Sequence, residues 1–198
     1  PLCVISPCSS QRFRNYRNWS VANYAAVMRH LIDVRGARVV LTGGPSALER
    51  QYGEQLQREL GGPTHSGVIN LIGQTRLKEL FAILQVADLV VCPDSGPAHM
   101  ATAAGVPVVG LYATSNRHRT GPYFSQRLVV DRYPEAVQRE FNKPVAALRW
   151  GERVRDPGAM DLICVPDVLA RVDAVLDGTL RPDEARSAVA GGTTDRPN

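Results

Sequence analysis

The chain has few cysteines, few aromatic residues and no long apolar run. Its four cysteines form no Cys-x-x-Cys pair and no zinc-ligand spacing, so we predict no metal site and expect free thiols in a reducing compartment. No stretch approaches the roughly 20 apolar residues that cross a bilayer. The first residues include no initiator Met, no basic region and no cleavage site, which argues against a signal peptide. The strand-like opening predicts part of a longer protein that works in the cytoplasm.

Charge of one sign is also scarce. Lys and Arg total 23 against 19 for Asp and Glu, a net charge of +4. This mild and scattered excess does not indicate a nucleic-acid partner, although it suits a phosphorylated ligand or an acidic membrane face. With 44% hydrophobic and 21% charged residues in 198, the composition is that of one soluble globular domain.

Apolar runs alternate with helix-period stretches along most of the chain. The predicted strands cover residues 2–6, 37–42, 68–72, 88–92, 106–112 and 127–130, and a final helix covers residues 165–176. Because the strands are continuous Val/Ile/Leu runs, we expect both of their faces to be covered. Right-handed helical crossovers then give a doubly wound, Rossmann-like parallel α/β sheet.

The pattern has one interruption and one end. Residues 132–160 lose the periodicity and form a charged insertion that contains Trp150. After residue 178 the composition shifts to Pro, Thr, Asp, Arg and Gly, with too little apolar content to fold. We therefore predict one domain over residues 1–178 and a disordered tail over residues 179–198.

The segment around Asp94, Ser95 and Gly96 is the most informative. It follows a buried strand and opens a helix, where open α/β sheets bind ligands. Gly96 and Pro97 leave the helix start open to an anion, and His99 stands about one turn inside the helix. The spacing fits equally well a plain helix cap with an interior histidine.

Three other strand-to-helix turns could contribute to the same site. Ser9 and Ser10 offer hydroxyl donors and Arg17 a bidentate charge, although an ordinary loop with a solvated arginine is the simpler interpretation. Glu49 follows a Gly-Gly turn and could bind ribose hydroxyls or simply face solvent. Thr75 lies in a turn whose backbone could pair with a base edge. The hydroxyl-rich and basic loop over residues 114–123 could cover an anionic ligand or be a solvated charge run.

Taken together, these segments resemble the carboxy-terminal half of glycosyltransferase family 9, the ADP-heptose:lipopolysaccharide heptosyltransferases. The similarity extends from about residue 3 to residue 131 and returns at the last helix. The stretches that carry it are Arg17-Asn18-Trp19, Gly43-Gly44-Pro45, the L-x-G-x-T-x-L-x-x-L stretch over residues 71–80, Asp94-Ser95-Gly96-Pro97-Ala98-His99-Met100-Ala101 and Gly105-Val106-Pro107. The Asp-Ser-Gly-x-x-His motif is the most specific of these stretches.

This resemblance implies the donor-binding domain of a two-domain GT-B glycosyltransferase, which needs no cofactor. Thr75 would lie by the adenine, Asp94 near the sugar and Glu49 at the ribose. The diphosphate would be held by Ser9, Ser10, Arg17, Ser95, Gly96 and His99. Arg17 stands where the family often has Lys.

The implied reaction transfers a heptose-like sugar from an ADP-sugar to a lipopolysaccharide core acceptor. The partners would be the nucleotide sugar, an amino-terminal acceptor domain of the same protein, and a glycolipid at the membrane surface. Since the family places the catalytic base in the amino-terminal domain, which this chain lacks, we expect no catalytic residue here and no turnover by this chain alone. A non-catalytic nucleotide-binding module and half of a GT-B-like UDP-sugar epimerase are the alternatives.

Overall fold

The computed structural model describes residues 1–9, 16–62 and 67–183. The strands are β1 (Leu2–Ile5), β2 (Arg38–Leu41), β3 (Val68–Asn70), β4 (Leu89–Pro93), β5 (Val108–Tyr112) and β6 (Val130–Asp131). The helices are α1 (Val21–Arg29), α2 (Ala47–Glu59), α3 (Leu77–Gln85), α4 (Gly96–Ala103), α5 (Arg117–Thr120), α6 (Tyr133–Phe141) and α7 (Val165–Leu176).

The six strands form one parallel sheet in the order β3-β2-β1-β4-β5-β6. Val4 in β1 pairs with Val40 of β2 on one side and with Val90 of β4 on the other. The strand order reverses between β1 and β4, because the chain first builds outward through β2 and β3 and then returns. The predicted doubly wound parallel α/β fold is confirmed.

Apolar layers cover both faces of the sheet. Cys3 and Ile5 point into a large cluster that contains residues of α1, α2, α6 and α7, whereas Val4 points into a smaller one with residues of α3 and α4. Every residue of β4 is buried. This two-sided burial explains why the strands are continuous apolar runs and do not alternate apolar with polar residues.

The structure corrects two of the sequence-based assignments and adds detail to the first helix. The first helix ends at Arg29 and continues as a wider π-turn over His30–Val34. The sixth strand is Val130–Asp131, not residues 127–130, because Gln126–Leu128 forms a 3-10 turn. The 132–160 insertion contains α6, whose core stripe of Tyr133, Ala136 and Val137 is too short to stand out among the charged residues around it.

The end of the domain remains a prediction. Residues 179–183 lie against the fold: Leu180 N donates to Ala174 O at 2.9 Å, and Asp183 N donates to Phe124 O at 2.5 Å. Residues 184–198 of the predicted tail lie outside the described residues. In the described part of the chain, no helix combines the length and the hydropathy that a membrane span requires.

Candidate functional site

The candidate site lies at the carboxyl edge of the sheet, where the loops after the parallel strands meet. The loops after β1 and β4 flank the point at which the strand order reverses. Open α/β sheets bind their ligands at this point, because the two loops diverge there and leave a crevice. Ser9 and Arg17 belong to the β1–α1 connection, and Asp94, Ser95 and Gly96 join β4 to α4.

Arg17 connects the two loops that flank the crevice. Its Nη1 donates to Ser9 Oγ at 3.1 Å and to the Asp94 carbonyl at 2.9 Å, and it lies 3.6 Å from Asp94 Oδ2. The side chain is 19% exposed, so the interpretation of Arg17 as a solvated arginine is wrong. A guanidinium suits this position because its planar fork can bond several acceptors at once.

Ser115, from the loop after β5, fixes the Asp94 carboxylate from the other side. Ser115 Oγ donates to Asp94 Oδ2 at 2.8 Å, and both residues are buried. The 114–123 loop is therefore divided: Thr114 and Ser115 are buried, whereas His118 and Arg119 are exposed. Sequence reasoning did not select Ser115, although small hydroxyl residues directly after a buried strand were a signal for this position.

The start of α4 is open. Ser95 takes the N-cap position with extended backbone, and its Oγ is buried with no hydrogen-bond partner among the described residues apart from the neighbouring Cys92 thiol. Pro97 has no N–H and Ala98 N donates to Ser95 O at 3.2 Å, whereas Gly96 N–H donates to no backbone carbonyl among the described residues. The alternative of an interior histidine is wrong, because His99 is exposed.

Glu49 is engaged by its own loop. The side chain is buried, Oε1 accepts Gly44 N–H at 3.0 Å, and Oε2 accepts the Ser46 hydroxyl at 2.7 Å. Ser46 Oγ in turn accepts Glu49 N–H at 3.2 Å, so the two residues cap α2 together. The alternative that Glu49 faces solvent is wrong. The Ser-x-x-Glu spacing was the sequence signal for this cap.

The turn that carries Thr75 packs against the Glu49 loop. Gly73 N donates to Gly43 O at 3.0 Å, and a Cβ at Gly73 would come within 3.2 Å of Pro45 Cα. Gly73 also has a φ of +74°, which side-chain-bearing residues rarely adopt. Thr75 itself is half-buried just before α3. The structure thus places Glu49 and Thr75 on the same edge as Arg17 and Asp94, on the β2–β3 side; Ser10 lies outside the described residues.

Burial keeps the thiols near the site protonated. Burial, with a smaller contribution from Glu49, raises the pKa of Cys8 to about 12, and burial raises that of Cys92 to about 12. The pKa of the Tyr112 hydroxyl is also raised by burial. These groups are therefore uncharged packing residues at neutral pH. Among residues 1–9, 16–62 and 67–183, no three His, Cys, Asp or Glu side chains are grouped to hold a metal ion.

Comparison with known proteins gives a family match. The model of "Glycosyltransferase family 9 (heptosyltransferase)" matches residues 1–150. The chain is 36% identical over 169 residues to the lipopolysaccharide core heptosyltransferase OpsX of Haemophilus influenzae, covering 85% of this chain and 46% of that protein. It is 30% identical over 127 residues to lipopolysaccharide heptosyltransferase 2 of Escherichia coli, covering 64% of this chain and 36% of that protein.

A solved structure has the same fold. The Escherichia coli ADP-heptose lps heptosyltransferase II superposes with a TM-score of 0.67 over 90% of this chain and 47% of that one, at 24% identity. The chain thus spans less than half the length of the proteins that it matches.

Proposed function

Because the chain belongs to glycosyltransferase family 9, the heptosyltransferases, we propose that it is the nucleotide-sugar donor-binding half of a lipopolysaccharide core heptosyltransferase. The proposed donor is an ADP-heptose-like sugar and the acceptor a glycolipid at the cytoplasmic face of the membrane. The observation that carries the proposal is the tie between Arg17 and Asp94 across the crevice, beside the open start of α4.

The diphosphate of the donor would lie against the start of α4. Gly96 N–H and the positive end of the helix dipole favour an anion there, and the guanidinium of Arg17 adds positive charge beside it. His99 is exposed one turn into the helix and could donate to a phosphate oxygen. Ser9 would complete this side of the site.

The sugar and the nucleoside would extend to either side of the diphosphate. Asp94, held by Ser115 and Arg17, would accept hydroxyl groups of the sugar. On the β2–β3 side, Glu49 would approach the ribose and Thr75 the adenine. Because the Glu49 oxygens already accept two donors within the loop, a ribose hydroxyl would share that carboxylate.

In the proposed reaction the acceptor hydroxyl attacks the anomeric carbon from the face opposite the diphosphate. The bond between this carbon and the diphosphate oxygen breaks, its electron pair leaves with ADP, and the configuration inverts. The proton of the acceptor hydroxyl passes to a base in the amino-terminal domain of the full-length protein. Gly96 and Arg17 would stabilise the charge that develops on the leaving diphosphate.

Titration calorimetry with ADP and UDP tests the proposal. We expect the 198-residue chain to bind ADP weakly and in preference to UDP, and Gly96→Val to abolish binding by filling the approach to the helix start. The fold should tolerate this change, because no atom lies within 4 Å of a Cβ at Gly96. The matched control is Ala103→Val at the exposed far end of the same helix.

Four outcomes would contradict the proposal. No binding of either nucleotide would favour a different ligand class, and preference for UDP would favour the epimerase alternative. Equal ADP binding by Gly96→Val and by Ala103→Val would place the nucleotide elsewhere. Transfer of heptose by this chain alone would contradict the assignment of the base to the other half.

A further inference from the structure

Residues 143–155, called here the 143–155 segment, form a largely exposed stretch beside the candidate site. Val154 N donates to Thr114 O at 3.0 Å, and Thr114 is the neighbour of Ser115, which binds Asp94. Tyr133 Oη also donates to the backbone of the segment, at Glu152 O, at 2.8 Å. The segment is thus fixed at the carboxyl edge of the sheet, close to the crevice.

The segment exposes a large aromatic side chain. Trp150 is 65% exposed, whereas Trp19, the other tryptophan of the chain, is fully buried and donates from Nε1 to Ile163 O at 3.1 Å. Exposure of an indole on a loop is unfavourable in water unless another phase or molecule covers it. Trp150 therefore indicates a surface that is covered in use.

The charges around Trp150 are mostly positive. The segment carries four cations and one carboxylate, Glu152. The cations are Lys143, Arg149, Arg153 and Arg155, and in the part of the chain that the structure describes none of them has an ion-pair partner. The guanidinium of Arg119, also without an ion pair there, lies against Gly151: its Cζ would be 3.2 Å from a Cβ on that glycine.

We propose that the 143–155 segment docks on an anionic lipid bilayer. The indole of Trp150 would lie at the level of the headgroups, which tryptophan favours because its ring is apolar and its N–H is polar. The free cations would face the lipid phosphates, and each raises the binding constant about fivefold near an anionic surface. Docking would combine one interfacial aromatic side chain with electrostatic attraction of a basic patch to anionic lipid.

The charge pattern favours a bilayer over a protein partner as the occupant. Trp and Arg are common in protein interfaces, so residue type alone does not select the occupant. The charge balance does: the four cations of the segment have no ion-pair partner in the described part of the chain, and they stand against two carboxylates, Glu152 and Glu140, the latter accepting Arg155 N–H at 2.7 Å. A bilayer supplies a plane of anionic groups with an apolar layer beneath it. The remaining half of a family 9 protein would have to supply a matching cluster of acids.

This inference extends the proposed function. It rests on that function in one respect: if both hold, the crevice opens beside the membrane that contains the acceptor. Docking itself needs no nucleotide. Vesicle binding and ADP binding are therefore measured separately, so a failure of one can be distinguished from a failure of the other.

The test measures tryptophan emission of the full 198-residue chain with vesicles. We expect vesicles of phosphatidylcholine and phosphatidylglycerol to shift the emission to shorter wavelength, pure phosphatidylcholine to have little effect, and high salt to reverse the shift. Brominated lipids should quench only part of the emission, because Trp19 is buried in the core. This measurement needs no variant, so it decides the proposal even if a variant fails to fold.

Variants locate the contact. Trp150→Phe should remove the shift, and the double variant Arg149→Gln with Arg153→Gln should weaken vesicle sedimentation about 25-fold, at fivefold for each arginine. The matched control is Arg58→Gln, an exposed arginine without an ion pair in the described structure, near the end of α2 at the opposite edge of the sheet. Its single charge should matter far less than either arginine of the segment.

Three results would overturn the proposal. The first is an unchanged emission with anionic vesicles. The second is equal weakening by Arg58→Gln and by a single Arg149→Gln. The third is an equal emission shift with soluble polyphosphate, which would identify the surface as a phosphate site and not a membrane contact.

Discussion

Two corners of the carboxyl edge are built in opposite ways. In the corner after β2, Gly44, Ser46 and Glu49 satisfy one another within six residues of chain. In the corner between β1 and β4, Arg17 bonds to Asp94 across 77 positions and Ser115 bonds to it across 21. The first corner is a local helix cap, and the second exists only when three separate loops come together.

The difference sets apart the corner that we propose to bind the donor. A local cap forms wherever its short sequence is helical, so its carboxylate has a structural reason to be present. The long-range corner places a cation, a carboxylate and an open helix start around a crevice, and no local rule requires that arrangement. Substitutions in each corner should therefore separate folding from binding differently.

The largest effect is expected for Arg17→Met, which removes every bond that Arg17 makes across the crevice. The free energy of unfolding should fall by about 2 kcal/mol, because hydrogen bonds that involve charged groups contribute about that much. ADP affinity should fall about tenfold or more if the guanidinium also faces the diphosphate. Urea unfolding and calorimetry measure the two effects. Arg58→Met, on the exposed end of α2, is the control, and equal ADP affinities for the two variants would contradict the role of Arg17.

An intermediate effect is expected for Glu49→Gln. The variant replaces one acceptor oxygen by an N–H donor that faces Gly44 N–H or Ser46, and we expect a loss of about 1.5 kcal/mol in unfolding free energy. Ser46→Ala removes the same cap without removing the carboxylate and should cost about 1 kcal/mol. If Glu49 contacts the ribose, only Glu49→Gln should also weaken ADP binding. An equal loss of ADP affinity in both variants would assign the effect to loop architecture alone.

The smallest effect is expected for Ser115→Ala, which removes one hydrogen bond from Asp94. Unfolding free energy should fall by about 1 kcal/mol. Since Asp94 is proposed to lie at the sugar, affinity for an ADP-sugar should fall while affinity for ADP changes little. Ser125→Ala is the control, because it removes another buried serine hydroxyl, which accepts Val108 N–H at 3.1 Å. If both variants bind the sugar nucleotide alike, Ser115 does not position Asp94 for binding.

The strands could be predicted because burial on both faces leaves a simple trace in the sequence. Leu89, Val90, Val91 and Cys92 are all buried in β4, and the continuous apolar run predicted that. Helix α6 left a weaker trace, since three core residues among charges resemble an irregular loop. The predicted sixth strand began three residues too early and ended one too early, because Leu128 and Val129 are buried outside any strand.

The candidate site could be predicted only in part. The order of strands followed by turns placed Arg17 and Asp94 on one edge, since every parallel strand ends there. Their direct contact, and the bond from Ser115, depend on which strands are neighbours, and the spacing of residues along the chain does not carry that information. The structure shows the contacts that several site residues make within the protein. The donor-binding roles stay predictions for every residue of the site: Ser9, Ser10, Arg17, Glu49, Thr75, Asp94, Ser95, Gly96 and His99.

Gly96 has one more consequence. Its backbone lies outside the left-handed region, and a methyl group there would touch nothing in the protein. Neither chain geometry nor internal packing demands the smallest residue, and in the proposed function it is the bound nucleotide that requires it. Position 96 can therefore carry progressively larger side chains, which would narrow the opening to the start of α4 without disturbing the packing of the fold.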